Sequence, residues 1–207
     1  MDVYGKLAED LYRVEVPALV TEQIGRIIIE NYAFAADMAE ERWGRGEMHD
    51  ALAPFRRADI ETALLSLRGI FPGQVWVEEV ANSTGNAFHR EVYVGRVAIT
   101  ESKVESANGP IREARFRETL ARASQTSMDL LGDEVPPSPT ARLWSCFVHM
   151  PSGRLDVPEF VRVAFPFPDG TWDHSVSLFD LTPWLQGYAP SDELATLRRE
   201  LKRRRAG

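Results

Sequence analysis

The chain has 207 residues, with 31 acidic and 24 basic side chains and a formal net charge of −7. This length suits one large domain or two small ones, and the apolar fraction of 44% is that of a folded globular protein. The negative charge argues against uniform, nonspecific attraction to nucleic acid.

The start of the chain and its single cysteine indicate a cellular compartment. Met1-Asp2 is not followed by the basic and apolar segments of a secretory signal, and no apolar run approaches the length of a membrane span. Cys146 alone excludes an internal disulfide framework and fits a reducing environment. We therefore expect a cytoplasmic protein with no membrane association.

The first seventy residues predict helices. A short helical pattern ends at Pro17, and Thr21 is a suitable cap for a second helix whose apolar residues recur at helical spacing. Gly44 and the nearby Gly46 are expected to end that helix. A third helix is predicted from residues 50–54 to Gly69.

The pattern then changes to strands. Gln74–Val80 predicts a strand, and Asn82–Asn86 has the composition of a turn. Phe88–Thr100 predicts a second, long strand, in which Gly95-Arg96 indicates a bulge or bend. We expect these two strands to form a hairpin, followed by a long helix over Ile111–Leu131.

The last third of the chain predicts a second group of strands. Val135–Thr140 is rich in proline and is the best candidate linker. A three-stranded meander is expected from Leu143–Met150, Phe160–Phe167 and Trp172–Leu181. A final helix over Ser191–Arg205 is capped by its serine and carries leucines on one side.

Together these elements predict an α+β fold. N-terminal helices pack on a mainly antiparallel sheet, which consists of the hairpin and the three-stranded meander, and a long central helix and a C-terminal basic helix complete it. We expect a single domain over residues 1–207, with a subdivision into residues 1–134 and 141–207 left open.

The strongest candidate site is the Glu-x-Lys pair at the end of the second strand. Side chains two residues apart lie on the same face of a strand, so Glu101 and Lys103 are expected to emerge together. This geometry suits a divalent metal and a substrate phosphate, but it equally suits a solvated strand end with a weak ion pair. The sequence does not decide between the two.

A hairpin, a strand ending in Glu-x-Lys and a following helix resemble the PD-(D/E)xK nuclease superfamily over residues 75–131. The resemblance implies that Mg²⁺ is held by Glu101 together with Glu78 or Glu79. It also implies that Lys103 stabilises the charge on the attacked phosphate or orients the water.

Arginines crowd the start of the predicted central helix. Under the nuclease hypothesis, Arg112 and Arg115 hold the scissile phosphate at a helix N-terminus. Glu113 and Glu118 are interleaved with them, and intrahelical ion pairs explain the same pattern.

The last predicted helix carries a basic cluster. Basic residues near a helix C-terminus favourably oppose the helix dipole, but six exceed what that role needs. The sequence therefore leaves two interpretations open: charge that caps the helix, or a contact with a nucleic acid or an acidic partner protein that does not read a base sequence. The six residues are Arg198, Arg199, Lys202, Arg203, Arg204 and Arg205.

The histidines and the cysteine do not form a recognisable catalytic or metal-binding motif. Cys146 and His149 are three residues apart on a predicted strand and therefore face opposite sides. Asp173, His174 and Ser175 are consecutive, so they cannot converge as a triad. We expect Cys146 to be a core residue.

We therefore expect an interaction or regulatory module of the bacterial cytosol, of the kind found in toxin–antitoxin or phage-related systems. It would bind a protein partner or itself through its apolar and aromatic strands, and it would need no cofactor. The alternative is a Mg²⁺-dependent nuclease using Glu101 and Lys103. Because no complete catalytic set is visible, the sequence leaves open whether the protein is an enzyme.

Overall fold

The fold is mixed α and β, built around one six-stranded sheet. The structure, a computed structural model, describes residues 3–81, 88–111, 117–122, 124, 143–152 and 156–185, apart from the side chains of residues 3 and 43–51. The helices are α1 (Val3–Glu15), α2 (Ala18–Leu64) and α3 (Leu67–Ile70), with a short helix at Leu178–Leu181 and a 3-10 turn at Pro183–Leu185.

The strands follow one another across the sheet in the order of the chain. They are β1 (Val75–Ala81), β2 (Phe88–Val94), β3 (Val97–Lys103), β4 (Leu143–Pro151), β5 (Pro158–Ala164) and β6 (Ser175–Ser177). Four neighbouring pairs are antiparallel, and only β3 and β4 are parallel. A parallel pair needs a long crossover, and residues 104–142 supply it.

Both faces of the sheet are buried, because strand residues alternate between two apolar clusters. Leu143 and Phe147 of β4 face a large cluster with α1, α2 and Leu178, and we call this side the main face. Trp144 and Cys146 point the other way, into a smaller cluster with residues of the crossover such as Ile111. Cys146 and His149 therefore lie on opposite faces, as their spacing predicts.

The helical span α2 is not a straight rod. Twenty-four residues separate Tyr32 from Arg56, which is about 36 Å along an ideal helix. The Arg56 guanidinium nevertheless lies 4.2 Å from the centre of the Tyr32 ring. The span therefore folds back on itself, giving a first arm (residues 18–42) and a second arm (residues 52–64). The sequence predicts two helices here, with the first ending at Gly44 and Gly46, but this prediction is wrong because the helical backbone continues from Ala18 to Leu64.

Two predicted strands differ from those observed. The expected long strand Phe88–Thr100 is two strands, because Gly95 has a positive φ of 52° and turns the chain back at Arg96. The expected strand Trp172–Leu181 is extended only at Ser175–Ser177, where the Ser177 hydroxyl accepts a hydrogen bond from the Phe179 amide and caps the short helix. The predicted hairpin and meander are thus two three-stranded halves of one sheet.

The two halves of the sheet share a core. Val92 and Ile99 lie in the same apolar cluster as Val161 and Val163, although the predicted linker separates them in sequence. The linker itself, most of the central helix and the C-terminal helix lie outside the described residues. Nothing among the described helices has the length and apolarity needed to cross a membrane.

Candidate functional site

Glu101 and Lys103 emerge on the same side of β3 but have different surroundings. Glu101 is only 6% exposed, whereas Lys103 is partly exposed and forms an ion pair of 3.0 Å with the exposed Glu105. The interpretation as a solvated strand end is therefore wrong for Glu101. The reason is that β4 and the first arm of α2 cover this part of the main face.

Glu101 ends a chain of three buried side chains from three elements. His149 Nε2 on β4 lies 2.8 Å from Glu101 Oε2, and His149 Nδ1 lies 2.7 Å from the Tyr32 hydroxyl of α2. All contacts are satisfied when the tyrosine donates to Nδ1 and Nε2–H donates to the carboxylate. The imidazole thereby links the long helical span to two strands.

Opposing effects set the pKa values of Glu101 and Tyr32 in this hydrogen-bonded group of three side chains. Burial works against ionisation of Glu101, but the His149 hydrogen bond and the nearby positive charges of Arg117 and Arg57 hold its pKa below the ordinary value. Burial raises the pKa of Tyr32 despite the guanidinium of Arg56. Glu101 is therefore a carboxylate and Tyr32 a neutral hydrogen-bond donor at neutral pH.

Strands β2 and β3 separate next to the hydrogen-bonded side chains of Tyr32, His149 and Glu101. They pair only from Val92↔Ile99 to Val94↔Val97, next to the turn. Farther from the turn, Arg117 Nη2 from the crossover donates to the Glu101 carbonyl oxygen at 3.0 Å. The second arm of α2 supplies Glu61, whose Oε2 accepts the Arg90 amide at 2.5 Å. We call this opening the β2–β3 gap; side chains there replace strand-to-strand hydrogen bonds.

The acids predicted to join Glu101 at a metal are engaged elsewhere. Glu79 forms an ion pair of 2.5 Å with Arg90, and the exposed Glu78 accepts a hydrogen bond from Trp76 Nε1 on the other face of β1. Among the described residues, no three His, Cys, Asp or Glu side chains converge on a point suited to a metal ion. The nuclease hypothesis thus remains a prediction without a described contact in its favour.

A second polar cluster lies on the opposite face of β2. His89 Nε2 lies 2.9 Å from Glu91 Oε1, and the Tyr93 hydroxyl donates to Glu91 Oε2. The alternation of β2 separates these three residues from Arg90 and Val92. The sequence analysis did not identify this cluster, although its His-x-Glu-x-Tyr spacing puts all three on one face.

Histidine 174 has a partner that its neighbours in sequence do not indicate. His174 Nε2 lies 2.9 Å from Glu9 Oε2 of α1, and the ring stacks on Phe165 with centroids 5.9 Å apart. Asp173 and Ser175 take no part in this contact. The prediction that the three consecutive residues do not form a triad agrees with this arrangement.

Strand β1 forms one edge of the sheet and has β2 as its only neighbour among the described strands. Three large apolar side chains on or near it are exposed: Trp76 by 60%, Phe88 by 49% and Ile70 by 48%. Neither lysine nor proline interrupts Val75–Ala81, although both commonly protect edge strands. This edge is the described surface best suited to contact another chain.

The residues predicted to contact phosphate or an acidic partner belong to two basic segments of the sequence. Arg112, Arg115 and the six basic residues of the C-terminal cluster, Arg198, Arg199, Lys202, Arg203, Arg204 and Arg205, lie outside the described residues. Comparison of the chain with protein-family models, with curated proteins and with solved structures finds no match.

Proposed function

We propose that this protein is an interaction module of a reducing bacterial cytosol, and that its partner adds a strand to the free edge of β1. The observation that carries the proposal is the exposed Trp76 on an edge strand that contains neither lysine nor proline. An added strand satisfies the outward backbone groups, and pockets for alternate side chains give specificity. The buried free thiol of Cys146 suits a reducing compartment.

The register of β1 and β2 identifies the backbone groups available to a partner. Glu79 lies opposite Arg90, whose N–H points away from β1 toward Glu61. Opposed residues in an antiparallel pair direct their N–H groups either both inward or both outward. The Glu79 N–H therefore points to the outer edge of β1, as do those of Val77 and Ala81, whereas the Val75 N–H already donates to the Phe71 carbonyl oxygen at 3.1 Å.

Charge favours a basic partner strand over a second copy of the chain. Glu78 is exposed, whereas the charge of Glu79 is balanced by Arg90. Two β1 strands in full antiparallel overlap would bring Glu78 opposite the Glu78 of the second copy, and like charges directly opposite are destabilising. We therefore propose that the partner is an extended segment that alternates apolar residues with lysine or arginine.

The test is selection from a random heptapeptide library, followed by comparison of two variants. Both Glu79→Pro and Glu79→Ala remove the carboxylate, but only the proline also removes an outward N–H. Selected peptides should alternate apolar and basic residues. They should bind Glu79→Ala within about threefold of the natural protein and Glu79→Pro at least tenfold more weakly.

Two outcomes would contradict the proposal. Peptides that bind both variants equally would place the interaction elsewhere, and failure to enrich any peptide would argue against strand addition. Sedimentation of the protein alone provides a further check. A dimer that is lost in Glu79→Pro would assign the edge to a second copy and overturn the basic partner.

A further inference from the structure

Glu61 occupies an unusual position for a carboxyl group. It is only 7% exposed and lies on the second arm of α2, where its oxygen fills the β2–β3 gap and bonds the Arg90 amide at 2.5 Å. Strand β3 does not bond this amide, because its described pairing with β2 ends at Ile99. The bond therefore ties the second arm of α2 to β2.

Positive and negative groups both face Glu61. Burial and the charge of Glu101 oppose its ionisation, whereas the Arg90 amide and the charges of Arg57 and Arg90 favour it. The first two effects prevail and raise the pKa of Glu61 to about 7. The described charged and titratable groups that interact with Glu61 are Arg57 of α2, Arg90 of β2, Glu101 of β3 with its partner His149 of β4, and the Cys146 thiol of β4.

We propose that Glu61 is a pH-sensitive latch, which when neutral holds the second arm of α2 on β2 and when ionised opens the β2–β3 gap to water. Ionisation places a second negative charge near Glu101 in a region with little access to water, and entry of water relieves both the repulsion and the lost hydration. Because the closed form favours the protonated acid, closure is strongest below the ordinary pKa of 4.5 and weakens as the pH rises through about 7.

The experiment follows hydrogen exchange of the Arg90 amide by NMR between pH 5.5 and 8.5, corrected for the intrinsic exchange rate. In the natural protein, the opening equilibrium should increase from pH 5.5 to about 7, by up to about tenfold per pH unit, and should level off above that pH, where the Glu61 carboxyl is ionised in both forms. In Glu61→Gln it should not change with pH, because the amide cannot ionise. Glu79→Gln is the matched control, since it removes a carboxylate from the same Arg90, and it should keep the natural pH dependence.

The proposal is overturned if the natural protein and Glu61→Gln show the same pH dependence. A carbon-13 titration of the Glu61 carboxyl in the natural protein keeps the test decisive even if the variant fails to fold. A midpoint near 7, together with Arg90 protection that declines up to about that pH and then stays constant, supports the latch. A midpoint below 5, or protection that is independent of the titration, rules it out.

Discussion

At the scale of single residues, His149 is the side chain on which the buried polar chain depends. It gives Glu101 a donor and Tyr32 an acceptor, so its loss leaves two buried groups without their partner. We expect His149→Ala to lower the free energy of unfolding by about 3–5 kcal/mol, the usual cost of removing one member of a buried pair. Urea unfolding at pH 7 measures this change.

Substitution of Lys103 is the control for the loss of stability expected in His149→Ala. Its contact with Glu105 is exposed on both sides, and such ion pairs contribute about 0–1 kcal/mol. Lys103→Ala should therefore leave the urea midpoint nearly unchanged. A loss for His149→Ala as small as that for Lys103→Ala would show that the buried chain contributes little to stability.

The Cys146 thiol should be unreactive in the folded protein. Burial raises its pKa to about 11, and its side chain is fully buried. Since the thiolate is the reactive form, we expect no labelling by a disulfide reagent at pH 8 in the time that labels the urea-unfolded protein completely. Labelling at equal rates in the two states would contradict the described environment of Cys146.

The pairing of Glu101 with His149 could not have been predicted from the sequence. The Glu-x-Lys spacing correctly puts two side chains on one face of β3, but β4 arrives beside it only after a long crossover. The parallel register that sets Glu101 opposite Phe147, two residues before His149, depends on where that crossover ends. Tyr32 lies on a helix, and nothing local in the sequence relates it to either strand.

At the scale of elements, the β2–β3 turn depends on Gly95. Its φ of 52° is one that other residues adopt at a cost of about 1–2 kcal/mol, and a Cβ there would collide with the Glu15 carboxylate. That carboxylate binds Arg96 and cannot simply move away. We expect Gly95→Ala to destabilise the protein by about 2–4 kcal/mol in urea unfolding, the sum of backbone strain and overpacking.

A substitution at Gly73 distinguishes the cost of backbone strain from the cost of overpacking. Its φ of 75° is equally strained for alanine, but an added Cβ would meet no atom within 4 Å. Gly73→Ala should therefore cost only the backbone part, about 1–2 kcal/mol. Equal losses for the two variants would mean that the Glu15 carboxylate yields without cost.

Local signals predict the first strand well, but they are less reliable where contacts between residues distant in sequence determine the structure. The strand predicted at Gln74–Val80 is observed at Val75–Ala81, whereas Gly44 and Gly46, which are predicted to end a helix, lie within the helical span Ala18–Leu64. Gly95-Arg96 was recognised as irregular, but a bulge and a two-residue turn share this composition, and only the pairing of Val92 with Ile99 distinguishes them. Ser177 caps the short helix Leu178–Leu181, in a segment whose sequence predicts a strand.

At the scale of the whole molecule, the single sheet explains why so many polar groups are buried. Helices and the crossover cover both faces, so Glu101 near the end of β3 lies within the protein rather than at its surface. Two glutamates there have opposite pKa shifts: Glu101 lower than usual and Glu61 higher. Their opposite effects on folding give the protein a characteristic dependence on pH.

The sign of each effect follows from the direction of its shift. Glu101 contributes stability above the ordinary pKa of 4.5, and this contribution is lost as the pH falls through its folded value. The contribution of Glu61 is complete below 4.5 and is lost as the pH rises through about 7, a change of about 3 kcal/mol for a shift of this size. We expect stability measured by urea unfolding to be greatest near pH 5.

Substitution of Glu61 should remove the decline on the alkaline side. The amide in Glu61→Gln has no proton to lose, so its unfolding free energy should stay nearly constant between pH 5 and 8 while that of the natural protein falls. The control is Glu159→Gln, which removes one carboxylate from an exposed position on β5 and should keep the natural decline. If Glu61→Gln and Glu159→Gln decline in parallel, the dependence arises from general charge repulsion rather than from the carboxyl buried beside Arg90.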